Sequence, residues 1–341
     1  MIRFNKPTIV KQDLESVLYC MIKDDLSPGQ YLKTFSSMLS AVLGITHATA
    51  FMSYVHAFET VFTILGASAG DEVLLPSFAR TAVLHCLKRC CIKPVVVDVE
   101  HESFLPSRDE MKRKLSPRTR CILIPQMFGI PSDLSAYRDL GLPIIEDTDG
   151  SIGSRVNGKP IGSFGDFITM NLGDSSIVTT GCGGMLAAAD SRIKPYLDFS
   201  GEDHGNDGVL MSDLNASLGI SQLERLEKII EARKKISGYY DEAVFASDAV
   251  LLGRDEGTEL SFSAYVVKTR TPYRECSRFF RKYAIPIRRG IEQPLHVALG
   301  LGPREYPNSE EMFNSIVALP IYPALKREDI ENIVRGIRAV L

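Results

Sequence analysis

The 341 residues contain no tryptophan, so indole fluorescence is not among the chain's properties. They also contain no Gly-rich Walker loop, no His-Glu-x-x-His pair, no Gly-x-Ser-x-Gly elbow and no Cys-x-x-Cys pair. Nucleotide hydrolysis, zinc proteolysis and α/β-hydrolase chemistry therefore lack the residues they usually need. Six histidines, at 47, 56, 85, 101, 204 and 296, show no ligand spacing, and no metal site is expected. No run approaches the ~18 uninterrupted apolar residues of a membrane span, and Met1 to Lys6 lacks the apolar core of a secretory leader. Seven cysteines, an odd number that includes the vicinal pair Cys90-Cys91, imply no disulfide framework and fit a reducing cytoplasm. Charge of one sign is lacking too. With 39 basic against 42 acidic residues the net charge is −3, so no global field holds the chain on nucleic acid or a membrane, and neither partner is expected. The basic clusters Lys112 to Lys114 and Arg233 to Lys235 read as solvated helix faces.

What is present is an ordinary globular composition, 45% hydrophobic and 24% charged, which excludes intrinsic disorder. Short apolar runs alternate with longer amphipathic ones. Strands are expected at 48–51, 72–75, 94–98, 121–125, 144–147, 167–170 and 184–188, most of them continuously apolar, as strands covered on both faces are. Helices are expected at 35–43 closed by Gly44, 56–65 closed by Gly66, 80–89 and 108–114. The alternation predicts an α/β fold with a largely parallel sheet and ligands beyond the carboxyl ends of its strands. From an N-cap at Ser212, apolar residues at helical spacing through Ile236 predict one long helix bridging two lobes. A strand at 261–269 and helices at 273–283 and 327–341 follow. The expected domains are residues 1–234 and a smaller α+β unit at 235–341.

One run is more informative than the rest: Ile144-Ile-Glu-Asp-Thr-Asp-Gly-Ser-Ile-Gly153, then Asn157-Gly-Lys159, Gly162-Ser-Phe-Gly-Asp166 and Thr179-Thr-Gly-Cys-Gly-Gly-Met185. It resembles the DegT family (DegT/DnrJ/StrS type) of pyridoxal-phosphate-dependent nucleotide-sugar aminotransferases. Matches in the same order run from Gly70-Asp-Glu-Val-Leu-Leu-Pro-Ser-Phe78 through Ser116-Pro-Arg-Thr-Arg120, Met211-Ser-Asp-Leu214 and Gln222-Leu-Glu-Arg225 to Pro294-Leu-His296 and Leu319-Pro320. The resemblance implies the fold-type-I aminotransferase architecture: a mixed, mostly parallel seven-stranded sheet, a small carboxyl-terminal domain and a homodimer. Fold alone does not fix the chemistry.

In the family a lysine holds the cofactor as a Schiff base and shuttles the proton. Counting without gaps from Gly165-Asp166 to Gly183-Gly184, Ser176 occupies its place, and no lysine lies between Lys159 and Lys194. Lys159 itself reads as a surface turn. The phosphate-holding turn corresponds to Ser53-Tyr54-Val55 ahead of His56, with Tyr54 and Val55 replacing a glycine and a hydroxyl-bearing residue. Asp147 matches the acid that keeps the pyridine nitrogen protonated, Asn171 replaces a phosphate-contacting serine, and Arg80 stands where an aromatic ring stacks. Gly150, Cys182, Gly208 and Leu210 replace polar or charged family residues. Cys182 reads as a small hairpin residue.

These departures imply a degenerate family member that does not transaminate and serves as a ligand-binding, regulatory or partner subunit in sugar or secondary-metabolite biosynthesis. No residue is assigned as catalytic. No cofactor is expected; the alternative is pyridoxal or pyridoxamine phosphate held noncovalently in a vestigial pocket at Asp147, Asn171 and Ser53. Arg80, Asp149, Ser176, His56 and His296 are the candidate ligand-pocket residues, with Arg80 either paired to Asp147 or gripping an anionic ligand, as Arg288 and Arg289 also could. A lysine-free enzyme on a nucleotide-linked keto sugar, or a cofactor-independent one in the same cleft, is the alternative function. A homodimer, or a heterodimer with an intact paralogue, and a small-molecule ligand are the expected partners.

Overall fold

The computed structural model describes residues 2–24, 26–148, 151–196 and 209–341. In chain order, helices α1 (Lys11–Ile22) and α2 (Gln30–Leu43) precede β1 (His47–Phe51), α3 (Tyr54–Ile64), β2 (Glu72–Pro76), α4 (Ala82–Arg89), β3 (Lys93–Val97), α5 (Arg108–Lys114), β4 (Thr119–Pro125) and β5 (Ile144–Asp147). The short β6 (Arg155–Val156) and β7 (Lys159–Pro160) come before β8 (Phe167–Asn171) and β9 (Gly184–Ala188). A seven-stranded sheet runs β1-β9-β8-β5-β4-β2-β3, parallel from β8 to β3 and antiparallel at both contacts of β9. Because β1 and β8 both oppose β9, the carboxyl ends of β1, β2, β4, β5 and β8 share one edge.

Successive side chains of a strand point to opposite faces, and both faces here are covered. Leu75, Leu123, Ile145 and Ile168 pack under α2 and α3 with Phe35, Leu39, Phe58 and Val61. Leu74, Ile122, Ile124 and Ile144 pack on the other side with Met111 and Tyr137. Each such side chain, fully buried, contributes about 1.5–3 kcal/mol, which is why most of the seven strands read as apolar runs.

The remainder comprises α6 (Asp213–Glu224), α7 (Leu226–Val244), β10 (Val250–Leu251), β11 (Thr258–Glu259), β12 (Tyr265–Lys268), α8 (Tyr273–Lys282), α9 (Leu295–Ala298), α10 (Pro307–Ser315), β13 (Ile316–Leu319) and α11 (Arg327–Val340). A second core gathers Ile236, Tyr240, Val267, Phe280, Ile333 and Ile337, and Ile2 from the amino-terminal segment joins it. Helix α7 links the cores: Leu226 and Ile229 belong to the first, Ile236 to Val244 to the second.

Three expectations are corrected. The single long helix after Ser212 is two, meeting at Arg225 (φ −109°), whose Nη2 donates to both Asp13 oxygens at 2.7 and 2.6 Å and to the Thr8 carbonyl at 3.2 Å. Arg233 is not solvated; it is buried and donates to the carbonyls of Phe262 and Ile321 at 2.7 and 2.8 Å, and burial lowers its pKa to about 10. The strand expected at 261–269 narrows to β12, because Ser261 turns its amide to the Ser154 hydroxyl instead of a ladder partner.

Candidate functional site

The shared carboxyl edge of the sheet collects the polar residues singled out from sequence. Asp147 ends β5 and is buried. The Thr169 hydroxyl donates to its carboxylate at 3.5 Å, and its backbone carbonyl accepts from the Gln126 amide at 2.8 Å. Arg80, four residues beyond β2, lines one crevice with Asp147, Pro125, Gln126, Met127 and Phe128. The structure thus brings Arg80 and Asp147 to the same place. The Cys86 thiol is held protonated, its pKa pushed up to about 12 by burial and then by Asp147, so it is not a nucleophile.

Register across the sheet puts Phe51, Gly184 and Asn171 side by side. Two residues past Phe51, Ser53 caps α3 and accepts from the His56 amide. The amino end of α3 presses on the β9 hairpin: a Cβ on Gly184 would lie 2.4 Å from the Tyr54 Cα, so glycine is required there by close approach. His56 sits in the first turn of α3 with its Nε2 3.9 Å from Glu59 and its Nδ1 buried, with no hydrogen-bond partner among the described residues. Asn171 ends β8, and its side-chain oxygen accepts from the Gly173 amide at 2.8 Å. Ser176 is buried in the same turn, its hydroxyl donating to the Asn171 carbonyl at 2.7 Å. Asp149, Gly150 and Gly208 lie outside the described residues.

His296 is placed elsewhere. It is fully buried, its Nδ1 2.6 Å from the Ser77 hydroxyl and its Nε2 3.0 Å from Glu310, with its ring stacked on Tyr306 at 4.4 Å. Both nitrogens are engaged in joining the end of β2 to α10. Arg288 lies over the Phe4 ring at 4.5 Å, and Arg289 over Tyr273 and Phe313 at 4.6 and 4.2 Å.

Sequence reasoning missed Glu146. It is fully buried next to Asp147 and accepts from the amides of Gly162, Phe164 and Gly165 at 2.7, 2.9 and 2.9 Å and from Gln126 Nε2 at 3.1 Å. Burial raises its pKa, and these four donors oppose the rise. Glu146 thereby fixes the Gly162-Ser-Phe-Gly165 loop beside β5; the motif itself, adjacent in sequence to an acid on a buried strand, was the available signal.

The donor set suits a pyridoxal-type cofactor. A buried carboxylate at Asp147 matches a protonated ring nitrogen. The amino end of α3, capped by Ser53, offers a phosphate the amides and positive dipole end that anions favour. Asn171 adds a side-chain amide. No primary amine comes from residues 160–193, which contain no lysine.

Comparison with known proteins places this geometry in context. A GDP-perosamine synthase of Vibrio cholerae is 32% identical over 229 residues, 63% of this chain, and the match spans 62% of that relative's length. The solved aminotransferase TlmJ from Streptoalloteichus hindustanus superimposes with a TM-score of 0.88 at 25% identity, covering 99% of this chain and 98% of that one. A sugar aminotransferase described as putative, Spr1654 from Streptococcus pneumoniae, superimposes with TM-scores of 0.89 in its PMP form, at 21% identity over 100% of this chain and 99% of that one, and 0.88 in its PLP form, at 22% identity over 99% and 98%. These cofactor-bearing neighbours overturn the expectation that the chain carries no cofactor. The architecture is that of the fold-type-I aminotransferases, and with residues 7–338 matching it, the chain belongs to the DegT/DnrJ/EryC1/StrS aminotransferase family.

Proposed function

We propose that this chain binds a pyridoxal-type cofactor and a nucleotide-linked sugar without lysine-dependent amino transfer, acting as a ligand-binding, regulatory or partner subunit in sugar or secondary-metabolite biosynthesis. One observation carries the reading: the turn after β8 presents the Ser176 hydroxyl, bonded to Asn171, at the position that an ungapped count from the flanking motifs gives to the family's lysine. A neutral hydroxyl neither tethers an aldehyde as a stable imine nor accepts a proton well near pH 7.

When bound, the cofactor supplies an electron sink for the carbon beside its nitrogen. Asp147 would hold the ring end by accepting a hydrogen bond from the protonated pyridine nitrogen. Ser53 and the first turn of α3 would hold the phosphate end, and Asn171 would add a donor to it. The Arg80 guanidinium, in the same crevice as Asp147, offers a fork for a carboxylate or phosphate of the ligand.

A second copy of the chain is proposed to cover α1, whose outer face exposes Leu14, Leu18 and Ile22 at 64, 55 and 68%. Three aliphatic side chains at spacings of four on one helix face form an apolar strip of the kind that marks an interface.

The unpartnered Nδ1 of His56 supports a second reading, in which His56 carries the proton that lysine would and the chain acts on a keto sugar. Calorimetry with pyridoxal and pyridoxamine phosphate, followed by borohydride reduction, tests the main proposal. Binding with no mass gain after reduction, and no amino transfer to a nucleotide-linked keto sugar, is expected. A borohydride-fixed adduct or turnover of an amino donor refutes it.

A further inference from the structure

The net charge of −3 conceals a strong local asymmetry. Residues 268–289 hold eight lysines and arginines against the single Glu275, so this stretch carries +7 and the rest of the chain −10. Lys268 is paired with Glu102 and Glu311, and Arg270 with Asp248. Among the described residues, no carboxylate comes within 4.0 Å of Arg274, Arg278, Arg281, Lys282, Arg288 or Arg289. The acids of neighbouring α11 do not reach them either; its Glu331 pairs with Arg327 of the same helix.

On α8, Cys276 and Phe280 face the core, and the exposed Arg274, Arg278 and Arg281 fall at i, i+4 and i+7 along one ridge. Like charges at these spacings repel, and Arg274 stands in the first turn, where the helix dipole disfavours a cation. An anionic surface relieves both. The adjoining strip exposes two aromatic rings, Phe279 at 45% and Tyr283 at 36%.

We infer that α8 docks the protein on an anionic phospholipid surface. A convex basic ridge beside exposed aromatic rings suits the headgroup region of a bilayer, where arginine meets phosphate and rings lie at the interface. Charges more than about 8 Å from the contact are screened at physiological salt, so the acidic remainder does not cancel the ridge, and net charge alone misjudges this surface. Among the described residues no helix is long and apolar enough to cross a membrane, which makes the association peripheral.

The test is co-sedimentation of the full chain with vesicles of phosphatidylcholine alone or with about a quarter phosphatidylglycerol. Binding to the mixed vesicles only is expected, weakening at least ~10-fold as salt rises from ~0.05 to ~0.5 M. Combined R274Q, R278Q and R281Q should weaken it similarly while thermal unfolding stays as in wild type, since all three are exposed. F279A with Y283A should reduce the binding that survives at high salt. No binding to the mixed vesicles at low salt overturns the inference, as does a triple variant that binds like wild type. Binding to a short DNA duplex with indifference to vesicles overturns it as well, in favour of nucleic acid.

Discussion

The Ser176 hydroxyl donates to the Asn171 carbonyl oxygen at 2.7 Å, closing the turn that leaves β8 at the carboxyl edge of the sheet. This bond uses the side chain at the position on which the proposed loss of amino transfer depends.

Replacing Ser176 by lysine restores an amine to that turn. S176K incubated with pyridoxal phosphate should gain a borohydride-reducible linkage detectable by mass and by absorbance, whereas wild type should not. Cofactor binding by S176K without any reducible linkage would show that position 176 does not face the cofactor's aldehyde.

The resemblance assigns Arg80 to the position of the family's stacking aromatic ring. R80F should bind pyridoxal phosphate several-fold to about 10-fold more tightly, the worth of one ring contact. Calorimetry on both proteins decides it: weaker binding by R80F would instead make the guanidinium a direct holder of the cofactor or its phosphate.

Glu146 holds four donors, two on each carboxylate oxygen. E146Q keeps one acceptor and turns an amide NH₂ toward the amides of Phe164 and Gly165, so it should lose about 2–3 kcal/mol in urea unfolding. Burial raises the folded-state pKa of Glu146 above its ordinary value. The native state therefore binds the proton more readily, and this group's contribution is fully present below the unfolded pKa and lost as pH rises through the raised one. E146Q should lack that component; identical pH slopes in the two proteins would contradict the assignment.

His296 spans Ser77 and Glu310 in a fully buried position. H296A strands the Ser77 hydroxyl and leaves a cavity beside Tyr306, a loss of about 2–4 kcal/mol. Urea titration measures it, with cofactor affinity as the companion reading. A cofactor affinity unchanged in folded H296A fits a junction role; its collapse would move His296 into the site.

Introducing charge on α1 tests the second copy. L18E should shift sedimentation velocity from dimer to monomer, because a carboxylate facing an apolar strip is desolvated without a partner. An unchanged dimer would mean that α1 faces solvent in the assembly.

Much of this was legible in the chain. The strands announced themselves because both faces of the sheet are covered, and Gly44, in the left-handed region at φ 67°, closes α2 as expected. Helix α1 escaped notice, since its outward face is apolar and blurs the amphipathic pattern. The break at Arg225 was equally hidden: the apolar spacing continues across it, and only the reach of Arg225 to Asp13, 212 positions away, reveals it. Arg233 looked solvated because a basic run reads as surface, yet two carbonyls from distant segments receive its guanidinium.

By itself the sequence determined the covalent inventory and the local periodicities: an acid at 147, a hydroxyl and no amine at 176, seven apolar runs, and a basic ridge at helical spacing on residues 274–281. Only the tertiary structure decided which polar groups meet. It put Arg80 beside Asp147 in one crevice, bound Glu146 to a loop sixteen to nineteen positions later, and sealed His296 against Ser77 across 219 positions. Periodicity is a property of neighbours along the chain, whereas a hydrogen bond depends on distance in space, and strand order and the joining of two cores set that distance.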